Sequence, residues 1–432
     1  MRKAFLVLLL ASLLLPAAAR AAEREFLSGY AGVVPQAKED RAKTYFYRPE
    51  VMQLLTALER GPVSETAVAQ ILGDKTPLRD LVRLGLVKNG NGTVRIAFAY
   101  FTAADMQAIH AAAAKYVPRL VAAFRARQGA LDAALARYPV AGVSKQRLAF
   151  VLIAGFGLNW DALELTREKH YRAPTLIRGK DWSYSFWASE EVPDYSYKGY
   201  YWGSSSFPAG AMNLTPPLDF VFSSFGDPDS DPRMNFPDLL AIPPDQMTPG
   251  VKTAAEALGL HDDNSLGMGL KNVIGLDRGR SLGAILFALR KGARNAAAIC
   301  GGGTECAGEL GLLAAAGYVR KTGGGYELTV PVFDNDDRTM VQEVLRLNRD
   351  VVDGWLKRNY APIRKELGGL TAAREGVPYA ALFTQIWHEI FGLTTRELAA
   401  QGLVEDPRGA DSPWNGSIPA VWRVSVYNHK LE

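Results

Sequence analysis

An acidic run near the middle of the chain has oxygen-bearing side chains at the spacing of a calcium-binding loop. Such side chains fall at loop positions 1, 3, 5, 9 and 12, and alternating oxygens on one loop can converge on a hard cation. Calcium is therefore the one cofactor that the sequence suggests. Against it, Pro232 stands where calcium loops have Gly, and the run also fits a plain acidic turn. The candidate ligands are Asp227, Asp229, Asp231, Asn235 and Asp238.

The region before this run is rich in aromatic side chains. From Trp182 to Phe225, 13 of 44 residues are Trp, Tyr or Phe, against 10% in the whole chain. Exposed rings bind sugars, apolar ligands and proteins, whereas buried rings form the core of a small β-layer. Alternation at 182–186 favours strands, and the Pro, Gly and Ser content favours long loops. The predicted residues for binding a ligand or partner are Tyr195, Tyr197, Tyr200, Tyr201 and Trp202.

Residues for catalysis are scarce, and none is predicted. The five histidines form no H-E-x-x-H motif, and no G-x-S-x-G or P-loop spacing occurs. His110 and His388 lie in mostly apolar helical stretches, where packing or capping is the expected role. Glu190, Glu191 and Asp194 stand beside the aromatic residues and could serve a secreted hydrolase as a carboxylate pair. Such carboxylates are common on surfaces, so the prediction leans towards a protein that is not an enzyme.

Cys300 and Cys306 are the only cysteines of the chain. In an oxidising compartment a pair so close can form a disulfide, and the three glycines between them make closure easy. A free or redox-active pair is the alternative. Two ligands do not make a zinc site, and no His lies near them in sequence.

The N-terminus is typical of a secretory signal peptide over residues 1–21. Two cations precede the apolar run Ala4–Leu15, and Ala19-Arg20-Ala21 fits the small-x-small cleavage rule. The run is shorter than the ~20 residues of a membrane anchor, and no later run is long enough to span a bilayer. Cleavage removes three cations and no acid, so the formal charge falls from +4 to +1. The sequence thus predicts an exported protein, periplasmic or secreted, without general attraction to polyanions.

An internal repeat is the strongest pattern in the chain. The stretch Met52–Phe101 recurs as Gly283–Phe333 with one inserted residue, which a duplication explains and chance rarely gives. Each copy has the pattern of a helix, a turn, two shorter helices and a Gly-bearing β-hairpin. Matched glycines such as Gly85 and Gly317 mark the same turns in both copies.

A long helix is predicted after each copy, over Asp105–Tyr138 and Asp337–Leu367. Thr102 and Asp334 stand where these helices must be capped. Each helix contains a proline, Pro118 in the first and Pro362 in the second, which is expected to kink or split it.

The runs at 81–92 and 314–325 resemble the winged helix-turn-helix domains of MarR-like and ArsR-like regulators. The resemblance covers about 100 of the 432 residues and concerns fold more than function. It implies a third helix in the DNA major groove and a hairpin on the backbone. In the first copy the candidate contacts are Lys75, Arg79 and Arg83 near that helix, with Lys88 and Arg95 on the hairpin.

The second copy has Glu305 and Glu309 on its third helix and no basic residue there. Glutamates would be repelled by phosphate, so nucleic-acid binding is kept only as an alternative function. What the two copies share is the spacing of apolar residues and glycines, which indicates a scaffold.

These patterns predict a helix-rich α+β fold with two winged-helix-like repeats and an aromatic β- and loop-rich segment between them. The repeats are expected to pack as an internal pseudo-dimer. The predicted function is an exported, non-enzymatic binding or scaffold protein that contacts a protein or small ligand through its aromatic segment. The predicted divisions are a signal peptide (1–21), a lead-in (22–50), the first repeat with its helices (51–177), the aromatic segment and linker (178–280), and the second repeat with its helices and tail (281–432).

Overall fold

The computed structural model shows the predicted helix-rich α+β fold. Within the described ranges, none of the helices combines the length and apolar character needed to cross a bilayer. The structure describes residues 26–33, 42, 44–162, 165, 177–178, 183–192, 204–207, 219–226, 281–301, 304–377, 379–409 and 416–428.

Helices and strands alternate along the described ranges. The helices are α1 (Pro49–Leu58), α2 (Glu65–Leu72), α3 (Leu78–Arg83), α4 (Ala103–Leu135), α5 (Lys145–Ala149), the π-helix π1 (Phe150–Asp161), α6 (281–290), α7 (Ala296–Cys300), α8 (Thr304–Ala315), α9 (Arg338–Leu367), α10 (Thr371–Arg374), α11 (Tyr379–Ala400) and α12 (Val424–Asn428). The strands are β1 (Phe26–Val33), β2 (Val63–Ser64), β3 (Val87–Gly90), β4 (Thr93–Ile96), β5 (Ala99–Phe101), β6 (Ile177–Arg178), β7 (Ser183–Glu190), β8 (Ser204–Phe207), β9 (Phe220–Gly226), β10 (Val319–Thr322), β11 (Gly325–Leu328), β12 (Val332–Phe333) and β13 (Ser417–Arg423).

Both repeats have the order of helix, helix, helix and hairpin, here called repeat one (α1 to β4) and repeat two (α6 to β11). Their third helices end in the same way. In repeat one the N–H of Leu86 donates to the carbonyl of Leu81 at 2.9 Å, and in repeat two Tyr318 donates to Leu313 at 2.9 Å. The glycine before each donor is left-handed, with φ of 72° and 78°. This is a Schellman-type helix end, and it explains why glycine stands at that position in both copies.

Other backbone contacts also occur at equivalent places in the two repeats. The second helix begins at a side-chain cap, and the residue just before that cap pairs with the hairpin. In repeat one the Ser64 hydroxyl accepts from the N–H of Ala67 at 3.3 Å, and in repeat two the side-chain oxygen of Asn295 accepts from the N–H of Ala298 at 2.8 Å. Val63 pairs with Val94 of the first hairpin, and the carbonyl of Arg294 accepts from the N–H of Tyr326 in the second.

Each hairpin is followed by a short strand that pairs in parallel with a distant part of the chain. In repeat one β5 lies beside β7, in a sheet of order β1-β7-β5 with β6 on β7. In repeat two β12 lies beside β13, in a sheet of order β12-β13-β9-β8. The sheets therefore use the aromatic region twice, through β7 in one and through β8 and β9 in the other. The strand predicted in the C-terminal tail is β13.

The lead-in contributes to the core of repeat one. Phe46 and Phe26 have ring centroids 5.5 Å apart, and Phe26 stacks on Tyr100 of β5 at 5.6 Å. Phe46 also meets Phe98 edge to face at 6.1 Å. These buried rings hold β1 and the residues before α1 against the hairpin, as edge-to-face and stacked aromatic pairs do in protein cores.

Helix α4 begins at its predicted cap, Thr102, and the predicted cap Asp334 begins a 3-10 turn (Asn335–Asp337) that leads directly into α9. The Thr102 hydroxyl accepts from the N–H of Asp105 at 3.2 Å. The N–H of Asp334 donates to the Asp337 carboxylate at 2.8 Å, within a capping box. Capping boxes satisfy N–H groups that the first helical turn leaves unpaired, which is why both helices start here.

The prediction that proline splits these helices was wrong. Both α4 and α9 continue through their prolines, Pro118 and Pro362. Proline removes one intrahelical hydrogen bond. Buried residues on either side of each proline, among them Val117, Leu120 and Ile363, continue the packing that keeps the helical turns together.

The chain forms two compact units, each made of separate stretches. Unit one contains Met1–Tyr116, Thr166–Ser196 and Arg358–Glu389. Unit two contains Val117–Leu165, Tyr197–Lys357 and Ile390–Glu432. Repeat one therefore belongs to unit one, and repeat two belongs to unit two. Each long helix contributes one part to each unit.

Unit two contains π1, a twelve-residue π-helix. Most π-helix occurs as single-turn bulges, often at functional sites, so this length is uncommon. Two glycines of π1 are in tight contact with other elements. A Cβ on Gly155 would lie 2.4 Å from the ring of Phe225, and a Cβ on Gly157 would lie 2.3 Å from the amide nitrogen of Asn348. Asn348 is fully buried, and among the described residues its amide has no hydrogen-bond partner.

Candidate functional site

The predicted binding and calcium residues lie outside the described residues. These are Tyr195, Tyr197, Tyr200, Tyr201 and Trp202, and Asp227, Asp229, Asp231, Asn235 and Asp238. Both sets remain predictions. The acidic run begins directly after β9, whose residues are all buried. Among the described residues, no group of three His, Cys, Asp or Glu side chains could hold a metal ion.

Glu190, one of the carboxylates considered for hydrolysis, acts as a helix cap. Its carboxylate accepts from the N–H of Ala103 at 2.7 Å, at the start of α4. A negative charge at a helix N-terminus is stabilised by the unpaired N–H groups and the helix dipole. Glu191 is half-buried, and Asp194 lies outside the described residues.

The cysteines form the predicted disulfide. Cys300 and Cys306 are bonded, with Cα atoms 5.4 Å apart. Cys300 is the last residue of α7 and Cys306 is near the start of α8, so the bond ties the second helix of repeat two to the third. Helix α8 has 12 residues and its counterpart α3 has 6. The third helix of repeat two therefore begins earlier than that of repeat one, at the turn that the disulfide closes.

Helix α3 of repeat one presents an exposed face made of Arg79, Val82 and Arg83, here called the α3 face. Residues three and four apart on a helix are neighbours, so these side chains lie together. Val82 is 41% exposed, which is unusual for a large apolar residue in this structure. Arg83 lies 3.5 Å from Asp80 of the same helix. Lys75, in the turn before α3, is also exposed.

The hairpin of repeat one adds a second exposed basic group. Lys88 and Arg95 stand directly opposite each other on β3 and β4. Like charges opposed across two strands are destabilising. Among the described residues, no carboxylate lies within the 4.0 Å ion-pair distance of Lys75, Arg79, Lys88 or Arg95. These cations are therefore open to a partner.

Repeat two lacks both groups at the equivalent positions. Gly311, Ala314 and Ala315 replace the three residues of the α3 face. On the hairpin the opposed pair is Arg320 and Glu327, which form an ion pair at 3.2 Å. The surface that is positive in repeat one is thus neutral in repeat two.

Glu309 does not face outward, contrary to the prediction from the sequence. The sequence suggested that this glutamate faces outward and repels phosphate. In the structure Glu309 is buried and accepts a hydrogen bond from the hydroxyl of Ser281 on α6. The contrast between the repeats rests on the small residues of α8 and on the Arg320–Glu327 pair.

A polar network supports the turn before α3, and no sequence motif indicated it. The Thr76 hydroxyl is buried and donates to Glu50 of α1 at 2.7 Å. Arg48 donates to the same hydroxyl at 3.0 Å. The bond from Thr76, with smaller effects from the Glu50 backbone and the nearby cations, lowers the pKa of Glu50 below its ordinary value. Tyr45 donates to Asp80 at 3.1 Å. These contacts fix the position of α3.

Two histidine contacts fit the packing or capping role that was expected. Nδ1 of His110 lies 3.2 Å from the buried carboxylate of Glu389, within unit one. Nδ1 of His388 lies 2.8 Å from the carbonyl of Thr384, one turn earlier in α11.

A groove of about 440 Å³ lies in unit one between α4 and the end of α9. Its one cation, Lys115, is paired with Glu366, which also accepts from Tyr116. Burial alone would raise the pKa of the Glu366 carboxyl, but the hydrogen bonds from Lys115 and Tyr116 outweigh it and lower this pKa below its ordinary value. The groove charges are thus satisfied internally, unlike those of repeat one. Its lining residues are Ala108, Ala111, Ala112, Lys115, Glu366, Leu367 and Leu370.

Comparison of the chain with models of protein families, with curated proteins and with solved structures found no match. Of the sites described, the exposed basic groups of repeat one are the best suited to bind a partner.

Proposed function

We propose that the chain is an exported, non-enzymatic binding protein whose repeats are a scaffold for contacts with a protein or small ligand. One observation carries this proposal. The repeats keep the same internal hydrogen bonds, while their equivalent outer positions differ in charge and size. Because function depends on the site and not on the fold that supports it, two copies with the same interior and different surfaces fit a scaffold on which one copy has a binding site.

Export is part of the proposal. The N-terminal signal pattern supports it, and the disulfide agrees with it, because such bonds persist in oxidising compartments. We propose a periplasmic or secreted location, with residues 22–432 as the mature chain. The aromatic segment around Tyr200 remains the predicted contact for the partner.

The proposal includes the winged-helix character of both repeats and their packing as an internal pseudo-dimer, as in paired regulators. The shared helix ends, caps and hairpin pairings support a common domain type. Distances between spin labels placed on the two hairpins, for example at Asn91 and Gly323, test this packing. A pseudo-dimer should give a narrow distribution of distances. Separations no closer than those of freely tethered domains would contradict it.

Export and binding are tested with the full-length chain in a bacterial host. The protein recovered outside the cytoplasm should begin at Ala22, because the cleavage motif ends at Ala21. An intact Met1 in the cytoplasmic fraction would contradict export. Purified mature protein then serves as bait in the extracytoplasmic fraction. Capture should be lost when Tyr200, Tyr201 and Trp202 are changed to Ala, and kept when Tyr47, which is 50% exposed, is changed to Ala.

Nucleic-acid binding is the second candidate, favoured by the exposed Lys75, Arg79 and Arg83 near the third helix of repeat one. The measurement is a gel shift with duplex DNA at increasing salt. Binding through phosphate contacts should weaken steeply with salt and with Arg79→Ala and Arg83→Ala. Absence of a shift at low salt would remove this candidate.

A further inference from the structure

The two basic groups of repeat one are local, and of their cations only Arg83, which lies 3.5 Å from Asp80, has a carboxylate at ion-pair distance within the described part of the chain. The α3 face has an apolar centre, Val82, between two arginines. Among the described residues, the opposed Lys88 and Arg95 have no carboxylate at ion-pair distance, whereas repeat two has an ion pair at the same register. Carboxylates of a partner would relieve this like-charge pair. The core of an interface is more apolar than the rest of the surface and interfaces are enriched in arginine, and the α3 face has two arginines beside one exposed apolar side chain.

The residues near the α3 face favour an acidic protein segment over a nucleic acid. Val82 offers nothing to a phosphate backbone but can pack against an apolar side chain. Asp74 is exposed beside Lys75, and Asp80 of α3 lies 3.5 Å from Arg83, so the positive charge is confined to a few side chains and forms no continuous track for a phosphate backbone. A short segment can place its few carboxylates at those side chains alone. Paired DNA-binding domains read two half-sites, whereas this basic surface exists in repeat one and not at the equivalent positions of repeat two.

We propose that the α3 face, flanked by Lys88 and Arg95, binds an acidic amphipathic segment of a partner protein. An apolar side chain of the segment packs on Val82, and its carboxylates pair with Arg79 and Arg83. Planar guanidinium groups suit carboxylates because they donate two parallel hydrogen bonds. This inference rests on the proposed binding function and names the partner's chemistry.

The probe is a synthetic helical peptide with glutamates on both sides of a leucine stripe, titrated into mature protein by fluorescence anisotropy. Arg79→Ala with Arg83→Ala should weaken binding about tenfold or more, as loss of two interface arginines does. Val82→Ala, which copies repeat two, should weaken it less. Because these side chains are exposed, the melting temperature should not change. A peptide with glutamine for glutamate should not bind.

A reciprocal exchange between the repeats provides the matched control. Arg95→Glu gives repeat one the hairpin charges of repeat two and should weaken binding, since Lys88 then has an internal partner. Glu327→Arg gives repeat two an opposed basic pair without an α3-like face and should leave peptide affinity unchanged.

Three outcomes would overturn the inference. Equal binding by wild type and the double arginine variant would show that the peptide binds elsewhere. Duplex DNA binding that is lost in the same variants, without peptide binding, would make nucleic acid the occupant. Absence of binding to either probe would remove the α3 face as a site for anions. The export and bait experiments are independent of all three, so they would still decide the proposed function.

Discussion

Gly157 of π1 packs against Asn348 of α9 with no room for a side chain. An added Cβ would lie 2.3 Å from the Asn348 amide, which is buried and cannot move into solvent. Gly157→Ala should therefore lower the free energy of unfolding by about 1–3 kcal/mol, the usual cost of overpacking a core. Urea denaturation measures it. Gly129→Ala is the control, because nothing lies within 4 Å of a Cβ there and it should stabilise by up to about 1 kcal/mol.

A second change separates steric conflict from loss of glycine flexibility. Asn348→Ala makes room for the new methyl group, so the double variant should recover part of the stability lost in Gly157→Ala. Additive losses would mean that the conflict with Asn348 is not the cause.

The hydrogen bond from Thr76 to Glu50 is expected to make the free energy of unfolding depend on pH. The Thr76 hydroxyl lowers the pKa of Glu50 in the folded chain, so the bond stabilises the fold above the ordinary glutamate pKa of about 4.3 and the effect is lost as pH falls through the lowered value. Thr76→Val removes the donor with little change in shape. Its free energy of unfolding should therefore fall less steeply than that of wild type below about pH 4.3.

Denaturation series across acidic and neutral pH measure this slope. Thr76→Ser keeps the hydroxyl and should retain the wild-type slope. Parallel pH profiles for wild type and Thr76→Val would exclude the bond as a source of acid sensitivity.

At the level of elements, the start of α4 depends on a residue that is 87 positions away in sequence. Glu190 caps the helix through the N–H of Ala103, so Glu190→Ala should cost about 0.5–2 kcal/mol, as loss of a helix cap does. Glu191→Ala, which changes the neighbouring carboxylate, should have a much smaller effect. Thermal unfolding of both variants measures the difference. Unchanged stability of Glu190→Ala would contradict the capping role of this carboxylate.

The repeats could be predicted because their signals are local. Glycine at a helix end, an N-cap such as Ser64 and alternating apolar residues in a hairpin each act within a few residues. The parallel pairing of β5 with β7 and of β12 with β13 could not be predicted, because short strands without periodicity carry no information about a distant partner. Likewise, the exposure of Val82 depends on which face of a six-residue helix meets the core.

For the whole molecule, the internal repeat explains how the proposed binding surface could arise without loss of stability. Local bonds such as Leu86 to Leu81 and Tyr318 to Leu313 form the same helix end in each repeat, and each repeat lies in its own unit. Positions outside this framework are free to differ, and they differ in charge. A symmetric pair of basic faces would favour a symmetric ligand, whereas a single one favours an asymmetric partner such as a peptide segment.

The disulfide provides a test of this separation between stability and binding. Reduction, or Cys300→Ser with Cys306→Ser, opens a short loop in unit two and should lower its free energy of unfolding by about 2 kcal/mol. The α3 face is in unit one, which has no cysteine, so affinity for the acidic peptide should not change. Calorimetry with and without reductant, together with peptide titration, measures both. Reductant should have no effect on the double serine variant, and a fall in peptide affinity on reduction would mean that the repeats do not act independently.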